Sequence, residues 1–172
     1  MTRHYQRGFN LIEVLVAMVV LSMGLLGIAA LQLTGVRSTQ GSYYRSQATS
    51  IMSDLAERIH ANKINAVSYG GTSTSAVLTL SPSSCVIPSG TPALVVSDLN
   101  DVGCGANSAG NLMPSGVLKT YCIDNVSGVA TACATDLRMD IEIDWTEQGA
   151  ITNSASAVAA DTAQSVVMTI QP

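Results

Sequence analysis

The sequence predicts an α+β protein, in which the first half of one long N-terminal α-helix spans a membrane and its second half packs on an antiparallel β-sheet. Three observations predict this fold. No charged residue occurs between Val14 and Val36, and a helix of about 20 apolar residues crosses a hydrocarbon core. Between Ala48 and Ile59, apolar residues then recur at helical spacing. Finally, Arg138–Thr146 alternates with the period of two that is typical of a strand.

The N-terminal helix is predicted to begin after a short leader. Residues 1–8 are polar and carry Arg3 and Arg7. Basic residues mark the cytoplasmic end of a membrane helix, so we expect residues 9–36 to cross the membrane and the rest to lie outside. No proline interrupts residues 37–63, which predicts that the helix continues through an amphipathic half over residues 37–65.

The amphipathic half of the helix has one apolar face. Its members recur at intervals of three and four residues: Ala48, Ile51, Met52, Leu55, Ala56 and Ile59. Asp54 and Arg58 lie on another face as an i,i+4 ion pair. We expect the apolar face to pack on the apolar face of a sheet.

The sheet should come from residues 66–172, a β-rich body that contains disulfides. Short apolar runs predict strands at Ala76–Leu80, Ala93–Val96 and Val117–Ile123. The region between Tyr69 and Gly116 is otherwise rich in turn-forming residues, which predicts irregular structure.

Two further strands are predicted near the C-terminus. In Arg138–Thr146 the alternation gives one buried and one solvated face. The buried face holds Met139, Ile141, Ile143 and Trp145, and the solvated face holds Arg138, Asp140, Glu142, Asp144 and Thr146. A loop is expected over Gln148–Ala163, followed by a last strand at Ser165–Gln171 with Val166, Met168 and Ile170 on one face.

Four cysteines follow the apolar segment: Cys85, Cys104, Cys122 and Cys133. They form no C-x-x-C pair and have no histidine nearby in sequence, which argues against a zinc site. In a body exported across a membrane, an even number of cysteines predicts two disulfides with three possible connectivities. We favour the nearest-neighbour pairs, Cys85–Cys104 and Cys122–Cys133, and the other two connectivities stay open.

Charge and motif content indicate no enzyme. Acids outnumber bases by 12 to 8, and without Arg3 and Arg7 the balance is 12 acids against 6 bases, a net charge of −6. An acidic body is a poor match for phosphates, so we expect no nucleic acid partner. The sequence shows no phosphate-binding loop and no convincing catalytic set. We therefore expect no cofactor and no metal.

The start of the apolar run combines a cleavage signal with a charge. Cleavage between Gly8 and Phe9 would create a free amine on Phe9 at the membrane surface. Glu13 lies one helical turn beyond Phe9. A buried carboxylate is costly unless it is paired, so Glu13 could hold the amine of its own chain or of a neighbour. Pairing between chains would fix the axial register of an assembly.

These residues carry a resemblance to a known family. A basic leader, Gly, Phe, any residue, Leu-Ile-Glu and about twenty apolar residues strongly resemble the class III signal of type IV pilins and pseudopilins. The resemblance implies a pilin-like fold, cleavage after Gly8 by a cytoplasm-facing prepilin peptidase and N-methylation of Phe9. It also implies that Glu13 acts in assembly.

Other segments are similar to the PilV-type minor pilins, also called type IV pilus modification proteins. The similar segments are LSMGLLGIAALQ, ATSIMSDLAERIHAN, YCIDNVSGVATAC and MDIEIDW. The chain has no proline before Pro82, and its last cysteine lies well before the C-terminus. Both departures from the major pilins favour a minor subunit.

The resemblance implies a minor pilin that waits in the inner membrane, with its body in the periplasm, and then enters the pilus filament. Its partners would be other minor and major pilins. Its roles would be the initiation of pilus assembly and pilus-dependent adhesion and twitching motility. Two alternatives stay open: a type II secretion pseudopilin, which shares the N-terminus, and a membrane-tethered periplasmic binding module that never assembles.

Overall fold

The computed structural model describes residues 10–71, 76–123, 129–131, 133, 138–147 and 162–172. The expected cleavage site at Gly8 and Phe9 lies outside the described residues, as does most of the expected loop over Gln148–Ala163. The chain divides into two compact units, Met1–Gln40 and Gly41–Pro172.

Helix α1 extends over Leu11–Ala61 and contributes to both units. The predicted long helix is therefore confirmed within the described residues. In the first unit its large apolar side chains are exposed on every side of the helix, from Leu11 to Val36. Among the described residues, α1 is the helix that is long and apolar enough to cross a membrane.

The second unit contains an antiparallel sheet packed against α1. Its described strands are β1 (Val77–Leu80), β2 (Val117–Ile123), β3 (Ala130–Thr131), β4 (Arg138–Glu147) and β5 (Thr162–Ile170). They are ordered β1-β2-β4-β5, and β3 pairs with β2 beyond the end of β1. The predicted strands at Ala76–Leu80, Val117–Ile123, Arg138–Thr146 and Ser165–Gln171 are thus confirmed, and the last one begins three residues earlier than expected.

The apolar face of α1 and the inner face of β4 form the centre of the core. All six predicted helix residues, from Ala48 to Ile59, are buried. Met139, Ile141, Ile143 and Trp145 are also fully buried, as the alternation of β4 predicted. Burying one large apolar side chain stabilises a fold by roughly 1.5–3 kcal/mol, so this shared core holds the helix on the sheet.

The segment between β1 and β2 contains short helices. Helix α2 covers Ala93–Leu99, and a π-helical turn follows at Asn100–Cys104. Helix α3 covers Ala109–Leu112. The prediction of a strand at Ala93–Val96 is wrong.

The spacing of buried residues explains why that segment is helical. Val95, Leu99 and Val102 are buried, and intervals of three and four residues belong to one helix face. The four-residue run on which the strand was predicted is too short to distinguish a strand from a helix.

The outer face of β4 also differs from the prediction, because Asp140 is only 5% exposed. Tyr121 of β2 lies directly opposite Asp140 in the sheet, and its hydroxyl donates a hydrogen bond to Glu142, at 3.1 Å. The Tyr121 ring therefore lies beside Asp140 and shields it from solvent. Glu142 and Asp144 remain partly exposed on the same face.

Candidate functional site

Glu13 is the charged residue of the apolar half of α1. It lies in the first helical turn, and its backbone N–H donates to the carbonyl of Asn10 at 3.0 Å. A carboxylate in the first turn interacts favourably with the helix dipole. The next charged residue along the helix is Arg37, so the whole segment between them is apolar or neutral.

The surface beside Glu13 forms a shallow apolar recess. It is lined by Glu13, Val14, Ala17, Met18 and Leu21. The small side chain of Ala17 leaves room between its larger neighbours. The recess therefore combines one carboxylate with an apolar surface that a second helix can cover.

The apolar half of α1 needs a partner on all its sides. A helix that is hydrophobic all round belongs in a membrane or among other helices. The apolar side chains of residues 11–36 have no cover within the chain's described residues. In lipid or in a helix bundle, Glu13 would be desolvated, and its carboxylate would then require a cation. Phe9, the residue expected to supply that cation, lies outside the described residues.

A polar network joins the C-terminal part of α1 to α2. Arg58 contacts Asp54 at 3.1 Å, Asp98 at 3.0 Å and Asp101 at 3.4 Å. The hydrogen bond to Asp54 is the largest of the contacts that raise the pKa of Arg58. The sequence predicted the pair with Asp54, but gave no signal for Asp98 or Asp101, which are 40 residues or more away.

Tyr69 completes this network. Its hydroxyl donates to Asp98 at 2.5 Å and accepts from the side-chain amide of Asn62 at 3.3 Å. Burial, followed by the nearby Asp98 carboxylate, raises the pKa of Tyr69 to about 12. Because every group is paired inside the network, its role is to fix α2 on α1 rather than to react.

A second polar cluster lies on the outer face of the sheet. Lys119 of β2 forms ion pairs with Glu142, at 3.8 Å, and with Asp144. The contact with Asp144 is the main reason that the pKa of Lys119 is raised. Burial and Glu142 raise the pKa of Tyr121 to about 12. In the part of the chain that the structure describes, no group of three or more His, Cys, Asp or Glu residues is arranged to hold a metal ion.

The four cysteines form two disulfides in the second unit. Cys85 is bonded to Cys104, and Cys122 to Cys133. This is the nearest-neighbour connectivity that the cysteine spacing favours. The second bond lies against Gly70, where an added Cβ atom would overlap the sulfur of Cys133. Only glycine allows this close approach, so the Cys122–Cys133 disulfide can pack at this place only because residue 70 is glycine.

The two disulfides reinforce different parts of the second unit. Cys85–Cys104 closes a segment with a sequence separation of 19 that includes α2. Cys122–Cys133 closes one with a separation of 11 at the end of β2. In the chain-entropy model, each closure stabilises a fold by about 3 kcal/mol. The cysteines thus support the body, whereas Glu13 lies in the first unit.

Two family models match the chain. The model of the type IV pilin Tt1218 matches residues 30–107. The model of the prokaryotic N-terminal methylation motif matches residues 3–29. No curated protein and no solved structure matches the chain.

The two matches correspond to the two parts of the chain, the N-terminal apolar helix with Glu13 and the disulfide-containing body. The methylation motif includes Gly8, Phe9 and Glu13, and the pilin match includes the amphipathic half of α1 and the Cys85–Cys104 disulfide. Type IV pilins are structural subunits and not enzymes, which agrees with a site made of one carboxylate and an apolar helix. With its long N-terminal helix and antiparallel sheet, the chain belongs to the type IV pilin family.

Proposed function

We propose that this chain is a minor subunit of a type IV pilus, of the PilV type, that helps to start pilus assembly and supports pilus-dependent adhesion and motility. The observation that carries the proposal is the methylation motif on a helix whose apolar surface is exposed on every side. Such a helix needs first a membrane and then other helices as its surroundings.

The first step of the proposal is processing. Prepilin peptidase cleaves between Gly8 and Phe9 and methylates the new amine of Phe9. Residues 9–36 stay in the inner membrane, and residues 66–172 form the body in the periplasm. Arg3 and Arg7 support this orientation, because basic residues favour the cytoplasmic side.

The second step is assembly. The helix leaves the lipid and packs among the helices of other minor and major pilins. Glu13 pairs with the methylated amine of Phe9, which keeps its positive charge. The recess beside Ala17 provides an apolar surface next to this ion pair. A single carboxylate in a long apolar helix allows one axial register, because any other register leaves a buried charge unpaired.

The role of a minor subunit is supported by segments outside the methylation motif. The apolar run continues through LSMGLLGIAALQ, and the amphipathic half of α1 contains ATSIMSDLAERIHAN, both similar to the PilV type. No proline interrupts residues 10–61. A subunit used only to start a filament is needed in far fewer copies than the subunit that extends it.

The proposal predicts that the chain is a rare component of pili. Full-length protein carrying a C-terminal epitope tag should be detected in sheared, purified filaments at a small fraction of the main subunit. Deleting its gene should remove most surface pili, as counted by electron microscopy, and the full-length gene should restore them. A strain that keeps normal pilus numbers after the deletion, and never shows the tagged chain in filaments, would contradict the proposed role.

A further inference from the structure

The two edges of the sheet are built differently. One edge is formed by β1, with four residues, and β3, with two. The other edge is β5, with nine residues, which extend over about 30 Å at the usual rise of a strand. Very short edge strands are a common protection against pairing with other chains. The β1–β3 edge has this protection, and the β5 edge does not.

Within the residues that the structure describes, strand β5 also lacks charged residues and an internal proline, two other usual protections of an edge. No charged residue occurs between Thr162 and Pro172, and no proline occurs before Pro172. Within the described ranges, β5 pairs only with β4. Every second residue of an edge strand directs its N–H and C=O groups away from the sheet. As far as the described ranges go, the free edge of β5 is thus a row of backbone groups that another strand can bind.

The outer face next to this edge is acidic. Along β5, the exposed residues Ser165, Val167 and Thr169 are small or β-branched. They lie directly opposite acidic residues of β4, in the register Ser165–Asp144, Val167–Glu142 and Thr169–Asp140. On the β2 side, Lys119 pairs with two members of this acidic row. On the β5 side, only short, neutral side chains separate the row from the free edge.

Asp140 adds an independent observation on the same row. It is buried, and its Oδ1 atom has no hydrogen-bond partner. A buried carboxylate oxygen without a partner is costly. A positive charge placed near the row from the β5 side would reduce this cost without displacing Lys119.

We propose that the free edge of β5 receives an extended strand from another pilus subunit, and that this strand carries Lys or Arg at alternate positions on its outer face. Naming the partner a pilus subunit rests on the proposed function. Backbone hydrogen bonds join the two strands, as in other cases of strand addition. The basic side chains lean across the exposed residues of β5 toward the acidic row of β4, which includes the unpartnered Oδ1 atom of Asp140.

Charge complementarity selects this partner over a second copy of the chain. A second copy offers a β5 strand without any basic residue, and it brings its own acidic row to the contact. Like charges placed together across an interface weaken it. A strand with alternate basic residues instead places positive charges on the β5 side of the acidic row, as Lys119 does on the β2 side.

Photo-crosslinking in cells tests the inference with the full-length chain. A photoreactive amino acid replaces Val167, which is 47% exposed on β5. The matched control replaces Thr79, an exposed outer-face residue on the opposite edge strand, where it lies opposite Lys119. We expect Val167 to give one main adduct with another pilus subunit, whose crosslinked peptide is an extended segment with Lys or Arg at alternate positions. The photoreactive residue at position 79 should give little of this adduct.

Two substitutions test the charge requirement. Ser165→Lys places a positive charge opposite Asp144 and should lower the Val167 adduct by about fivefold or more, because like charges oppose the incoming strand. Ser165→Gln, of similar length but neutral, should keep the adduct. Retention of the adduct in Ser165→Lys would overturn the inference. So would an adduct with a second copy of this chain, an adduct on a segment without basic residues, or equal adducts from Val167 and Thr79.

The same strains separate this inference from the proposed function. Each variant chain is also measured for the mass of its N-terminus and for its presence in sheared pili. A processed, incorporated chain that gives no adduct from Val167 would overturn the strand pairing and leave the pilin role intact. An unprocessed chain would count against the pilin role itself.

Discussion

Replacing Glu13 with Gln should leave processing intact but greatly reduce the amount of the chain in sheared pili. Gln keeps the size and hydrogen-bonding capacity of the side chain and removes its charge. The methylated amine of Phe9 would then enter an apolar helix bundle without a counter-ion. Because breaking a buried ion pair costs roughly 3–5 kcal/mol, we expect incorporation to fall by about tenfold or more. Quantitative immunoblots of the sheared and membrane fractions measure this ratio.

The matched control for this prediction is Glu57→Gln. Glu57 lies on the same helix but is exposed on the second unit, away from the apolar half. Its loss of charge should change incorporation little. If Glu13→Gln entered filaments as well as the unaltered chain, the pairing role of Glu13 would be refuted, even if the protein is a pilin.

The second large effect concerns the core that holds α1 on the sheet. Ile141 is fully buried at the centre of β4. Ile141→Ala should lower the free energy of unfolding by about 2–5 kcal/mol, because it removes apolar contacts and leaves a cavity. Urea unfolding of the full-length chain in detergent measures this change. Trp145 is the single tryptophan of the chain and is buried on the same face of β4, so its fluorescence reports the loss of the core.

Ile64→Ala provides the control for the core prediction. Ile64 is the same residue type but is 94% exposed. Its truncation should change the free energy of unfolding by about 0.5 kcal/mol or less, as is usual for surface positions. Equal effects of Ile64→Ala and Ile141→Ala would show that β4 is not at the centre of the core.

The parts of the fold that the sequence predicted are those with a long and regular pattern. The apolar face of α1 recurs over several turns, and β4 alternates over nine residues. In both, the periodicity determines which side chains are buried, because one face must pack and the other must remain in solvent. The roles of Glu13, Gly8 and Phe9 came from a motif of fixed spacing rather than from periodicity.

The parts that the sequence did not predict depend on contacts between distant segments. The four apolar residues at the start of helix α2 fit a strand as well as a helix, and its partners on α1 are far away in the sequence. The burial of Asp140 depends on Tyr121, which lies on another strand. The Arg58 network likewise joins three separate segments. No local pattern encodes such contacts.

The mass of the N-terminus tests the central claim most directly. Full-length protein is expressed in cells with prepilin peptidase, purified from the membrane and measured as an intact chain. With the peptidase, we predict a mass that is lower by the mass of Met1–Gly8 and higher by one methyl group on Phe9. In cells that lack the peptidase, we predict the mass of the complete, unmethylated chain. A chain that keeps Met1–Gly8 in the presence of the peptidase, or that loses the whole apolar segment, would contradict the account.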